Sequence, residues 1–142
     1  MNPFVLDNSV TMRWCFEQTS TPYSEAILQE MRNGAEAVVP VLWLYEVASV
    51  LAKAQRNGSI TSDKVNRFLD DLRSFPIKVA QERIDLIFTD VHRLAVQYGL
   101  TGYDASYLEL AIRKGLPIAT LDEDLQKAAI AAGVKLVEVP TI

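Results

Sequence analysis

Phe4-Val5-Leu6-Asp7-Asn8-Ser9 (FVLDNS) opens the chain with three apolar residues and then a carboxylate. Near the other end Ile118-Ala119-Thr120-Leu121-Asp122 (IATLD) repeats the arrangement, an apolar run that stops at an aspartate. Short apolar runs of this kind are the strands of a parallel sheet buried on both faces. Ala37-Val38-Val39-Pro40 reads as a second strand, Pro76 to Ala80 as a third and Val134 to Val139 as a last one. Between them the apolar spacing predicts helices over Ser24–Asn33, Leu42–Arg56, Thr61–Ser74, Arg83–Tyr98, Tyr103–Lys114 and Glu123–Ala132. Asn57-Gly58, Gly99 and Gly115 stand as helix stops. Strands alternating with helices imply an α/β fold in which the sheet is covered on both faces, and ligands then bind beyond the carboxyl ends of the strands.

The 142 residues suit one domain, expected to span 1–142. An apolar fraction of 49% with 23% charged residues is globular in character. No run reaches the roughly 20 apolar residues of a membrane span, and Asp7 interrupts any leader-like core. One cysteine, Cys15, excludes an internal disulfide, so a reducing cytoplasmic setting is expected; its simplest role is as a small core residue. The net charge of −4, from 14 basic and 18 acidic residues, is wrong for a general nucleic-acid coat. It leaves open an enzyme whose local field is set by bound cations.

Four acids stand in otherwise apolar surroundings. Asp7 is the only charged residue before Arg13, Glu46 the only one from Val38 to Ala52, and Asp104 the only one from Leu94 to Leu108. Asp122 closes the Ile118–Leu121 strand. Helix capping or a favourable dipole explains Asp7, Asp104 and Asp122 as well as function does when each is taken singly. Glu46 lies in the second turn of its helix among Leu42, Leu44, Val47 and Val50, where an unpaired carboxylate is costly. Its partner is either Lys53 reaching back, or the other acids through a shared cation. All-oxygen ligation selects magnesium or manganese, and one His with one Cys is too few for a typical zinc site. Asn8 and Ser9 suit metal-bound waters and Thr120 suits orienting Asp122, although local turn bonds explain these three equally well.

The motifs VLDNSV, VLWLYEVASVLAKA, LTGYDASYLELA and IATLDEDLQKAA, in this order, resemble the PIN-domain family, most closely its VapC-type toxins from toxin–antitoxin pairs. The resemblance implies a three-layer α/β/α sandwich with a short, mainly parallel central sheet. It implies an endoribonuclease that cuts RNA with Mg²⁺ or Mn²⁺ held by Asp7, Glu46, Asp104 and Asp122. A homodimer and silencing by a cognate VapB-like antitoxin are expected with it. Asp124 is a second candidate for the fourth acid, ranked below Asp122. The rival expectations are a catalytically silent PIN-like binding domain and an Asp-based phosphatase, for which Asp7-Asn8-Ser9 lacks the second acid of D-x-D.

Other residues have plainer readings. His92 lies mid-helix without an acid motif and Asp70-Asp71 form a solvated face. Arg13 suits a phosphate contact and a solvated position equally. Trp14 and Trp43 are expected to pack, with Trp14 the better candidate for stacking on a base.

Overall fold

The computed structural model describes Met1 and residues 3–140. β1 (Phe4–Leu6), β2 (Ala37–Val39), β3 (Ile77–Val79) and β4 (Ile118–Ala119) form one sheet in the order β3-β2-β1-β4. Every pairing is parallel, with Phe4 opposite Ala37, Val5 opposite Val38 and Ile118, and Val38 opposite Lys78. All residues of β1, β2 and β4 are buried, which is why their sequences are continuous apolar runs rather than alternating ones.

The strand order dictates the layers. β1 leads through α1 (Asn8–Cys15) and α2 (Pro22–Arg32) to β2, and β2 through α3 (Val41–Arg56) and α4 (Ser62–Ser74) to β3. Both crossovers step the same way across the sheet, so right-handed connections put these helices on one face. From β3 the chain runs through α5 (Ile84–Leu86), a π-helical turn (Ile87–Val91), α6 (His92–Tyr98) and α7 (Gly102–Lys114) back to β4. That step reverses direction and moves the helices to the opposite face. α8 (Glu123–Ala131) follows β4. The packing agrees: α1 contacts α2 and α3, while α7 contacts α6, α8 and β1. The three-layer α/β/α sandwich expected from the sequence is the observed architecture.

Caps mark most helix ends as read. Thr61 Oγ1 accepts the Lys64 N–H at 3.2 Å and Thr101 Oγ1 the Asp104 N–H at 3.1 Å. Gly99 and Gly115 close α6 and α7 with φ of +65° at both, a left-handed conformation that favours glycine.

Two elements differ from the sequence reading. Arg83–Tyr98 is not one regular helix. The π turn inserts an extra residue, so the apolar stripe shifts register, Leu94 stays buried and Ile84 is left 77% exposed. Residues 134–139 form no full strand: Leu136 makes a single parallel bridge to Ile118. β4 is only two residues long before the chain turns towards α8, so there is no ladder to extend.

Candidate functional site

The sheet order turns round between β1 and β4, the place where an open parallel sheet forms its ligand crevice. Asp7 follows β1 directly, and Thr120-Leu121-Asp122 follow β4. Asp7 is 4% exposed and its Oδ2 accepts two hydroxyls, Ser9 Oγ at 2.6 Å and Thr120 Oγ1 at 2.7 Å. Ser9 Oγ in turn accepts the Leu121 N–H at 2.9 Å, and Thr120 Oγ1 accepts the Asp122 N–H at 3.0 Å. This network stitches the two strand ends together and fixes the Asp7 carboxylate in one orientation.

Asp7 occupies the N-cap position of α1 but its side chain caps nothing, so capping does not explain it. Asp122 does cap: its Oδ1 accepts the Leu125 N–H at 2.9 Å at the start of α8. Asp104 lies in the first turn of α7, where Thr101 rather than Asp104 is the cap.

Glu46 is half-buried in α3 and, among the described residues, makes no salt bridge to Lys53 or any other base. Its Oε1 accepts the Tyr107 hydroxyl from α7. The sequence reading missed Tyr107. The signal was its place three residues after Asp104, hence on the same helix face.

The acids feel one another. Burial raises the Asp7 carboxyl above its usual range against the opposing effect of Ser9 and Thr120, and the charge of Asp122 adds to the rise. Burial raises Glu46, the Tyr107 bond counters it, and the charge of Asp7 adds to it. Asp104 is pushed up to about 6, first by burial, then by Asp122, Asp7, Glu46 and Asp124 in that order. Asp122 thus acts on Asp104 more strongly than the exposed Asp124 does. Among the described residues, no salt bridge reaches any of these carboxylates.

These observations bear on whether a divalent ion fits. The donors are all oxygens, the charge they concentrate is uncompensated, and Asn8 Oδ1 beside them is a buried acceptor without a hydrogen-bond partner. In kind and in charge the residues fit a hard cation. Among the described residues, however, no three His, Cys, Asp or Glu side chains are grouped closely enough to hold an ion as they stand.

The remaining sequence candidates lie elsewhere. Trp43 is buried and its Nε1 donates to Thr11 Oγ1 at 3.0 Å. Trp14 donates to the Ser24 carbonyl at 2.9 Å and packs edge-on against Phe75, so both indoles are structural. Arg13 donates to the Thr19 carbonyl at 2.8 Å. His92 is exposed on α6 and Cys15 is buried.

A parallel α/β sandwich with Asp7 and Asp122 following the two strands at its switch point defines the class. The model of the PIN domain matches residues 4–131, and the chain belongs to that family. It is 35% identical over 81 residues to Ribonuclease VapC3 of Pyrobaculum aerophilum, covering 57% of this chain and 62% of that protein. It is 37% identical over 84 residues to Exonuclease VapC9 of the same organism, covering 59% of this chain and 60% of that protein. Both alignments span less than two thirds of the relative's length. The crystal structure of VapBC2 from Rickettsia felis, bound to a DNA fragment from its promoter, superposes with a TM-score of 0.68. That match covers 99% of this chain and 100% of the other at 12% identity, a likeness of fold. Among the described residues no helix is long and apolar enough to cross a membrane.

Proposed function

We propose that this PIN-domain protein is a ribonuclease toxin of the VapC type that hydrolyses RNA phosphodiester bonds using Mg²⁺ or Mn²⁺. The observation that carries the reading is the placement of Asp7 after β1, Asp122 after β4, Glu46 in the second turn of α3 and Asp104 in the first turn of α7, with no salt bridge to any of them among the described residues. Family membership and the nuclease names of two relatives support it.

In this reading the ion would be held by Asp7, Glu46, Asp104 and Asp122. A divalent ion bound there supplies positive charge to a phosphodiester and makes a water more acidic. The chain does the rest. Ser9 and Thr120 lock the Asp7 carboxylate, and the Leu125 N–H holds that of Asp122. Burial and the neighbouring acids push the Asp104 carboxyl up to about 6, and a cation held beside it would favour its ionised form. α1 begins one residue after β1, so its N-terminus faces the same edge and adds positive potential there, whereas Glu82 takes the first N–H of α3 and Asp122 the Leu125 N–H of α8. Together with a bound cation, that field would draw a phosphate to a protein of net charge −4.

The expected partners are an antitoxin resembling VapB and a second copy of the chain. Because one relative is named an exonuclease, the endonucleolytic part of the proposal needs its own test. Purified protein is incubated with a covalently closed RNA circle in Mg²⁺, in Mn²⁺ and in EDTA. Linear product in either ion and none in EDTA is the expected result. Cleavage of linear RNA alone overturns the endonuclease assignment, and no cleavage of any RNA overturns the proposal.

A further inference from the structure

We propose that Tyr107 is a positioning residue that holds Glu46 ready for the ion, an inference that rests on the metal-nuclease reading above. Tyr107 is fully buried, yet its hydroxyl is spent on a carboxylate 61 positions away on another helix. A buried phenol needs an acceptor, and backbone carbonyls are the commonest side-chain partners. Here the acceptor is one of the four candidate ligands.

The arrangement is economical. α7 carries Asp104, and one turn later Tyr107, so one helix face presents a ligand and grips another from α3. Among the described residues the Tyr107 hydroxyl is the sole hydrogen-bond donor to the Glu46 carboxylate. It engages Oε1 and leaves Oε2 without a hydrogen bond. Glutamate has three side-chain torsions, and without a donor at its tip it samples several rotamers. Removing such an outer partner of a ligand typically weakens metal binding by about 10- to 100-fold.

The test is a cycle of wild type, Tyr107→Phe, Glu46→Gln and the double variant, with Mn²⁺ affinity measured by calorimetric titration at pH 7.5. Phenylalanine keeps the buried ring, so only the hydroxyl is lost. The expected result is that Y107F binds Mn²⁺ about 10-fold more weakly than wild type. In the E46Q background the same change should matter less than about 2-fold, because the group it positions is no longer a good ligand. Equal binding by wild type and Y107F, or an equal loss in both backgrounds, overturns the role of Tyr107 alone. A wild-type protein that binds no Mn²⁺ overturns the metal site and this role with it.

A second measurement stands independently of Y107F folding. Mn²⁺ added to wild type should perturb tyrosine ultraviolet absorption, and E46Q should lose that difference signal. A signal unchanged in E46Q counts against the inference.

Discussion

Thr120 Oγ1 donates to Asp7 Oδ2 at 2.7 Å across 113 positions of sequence, and this bond joins the two strand ends between which the sheet reverses its order. The same oxygen accepts the Asp122 N–H, so one hydroxyl orients one acid through its carboxylate and steadies a second through its backbone.

Thr120→Val keeps the shape of a 2% exposed side chain but removes that hydroxyl. The Asp122 N–H loses its acceptor and Asp7 one of its two hydroxyl donors. Chemical denaturation should show a loss of about 1–3 kcal/mol. A change within about 0.3 kcal/mol would mean that water replaces the bond at no cost.

Asp104→Asn reports the electrostatics of the site through pH. In the folded metal-free protein burial and the neighbouring acids push the Asp104 carboxyl up to about 6, from 3.8 in the unfolded chain. The folded state therefore binds the proton more tightly than the unfolded chain. Its contribution is fully present below about pH 3.8 and disappears as pH rises through about 6. The melting temperature of metal-free wild type, relative to Asp104→Asn, should fall between pH 4.5 and pH 7.5. Parallel curves across that range would place Asp104 in an ordinary solvated setting.

Glu46→Gln keeps an oxygen for the Tyr107 hydroxyl and removes a charge that burial and Asp7 both disfavour. Metal-free Glu46→Gln should melt above wild type at pH 7.5, while Mn²⁺ binding falls. A lower melting temperature would indicate that the charged carboxylate is a structural ion partner.

Asp7→Asn retains an acceptor for Ser9 and Thr120, so its metal-free melting temperature should equal or exceed that of wild type. Its cleavage of RNA should fall at least about 100-fold, since an amide is a poor ligand for these ions. Substantial residual cleavage would remove Asp7 from the site.

Much of this candidate site is legible in the sequence because lone acids in apolar runs are conspicuous. Asp7 and Asp122 end buried strands, and the helical pattern around Glu46 and Asp104 pointed their helix starts at the same edge. Parallel strands buried on both faces left an unambiguous apolar signature in β1, β2 and β4. What stayed hidden depends on pairings between distant segments. The Tyr107–Glu46 bond joins two helices that no local pattern relates, and Tyr107 reads as one more apolar-face aromatic. The capping reading of Asp7 failed because Ser9 and Thr120 claim its carboxylate, and Thr120 arrives from the far end of the chain. The π turn at Ile87–Val91 shifts a helical stripe by one residue, which periodicity alone does not reveal.

Asp7, Glu46, Asp104 and Asp122, which make no salt bridge among the described residues, are proposed to hold a divalent ion. The most direct measurement is the thermal shift of wild type and Asp104→Asn on adding Mn²⁺ at pH 7.5. Binding at 100 times the dissociation constant stabilises a folded protein by about 2.7 kcal/mol, so wild type should melt several degrees higher and Asp104→Asn should shift far less. No shift in wild type, or equal shifts in both proteins, would rule out a divalent-metal site that includes Asp104.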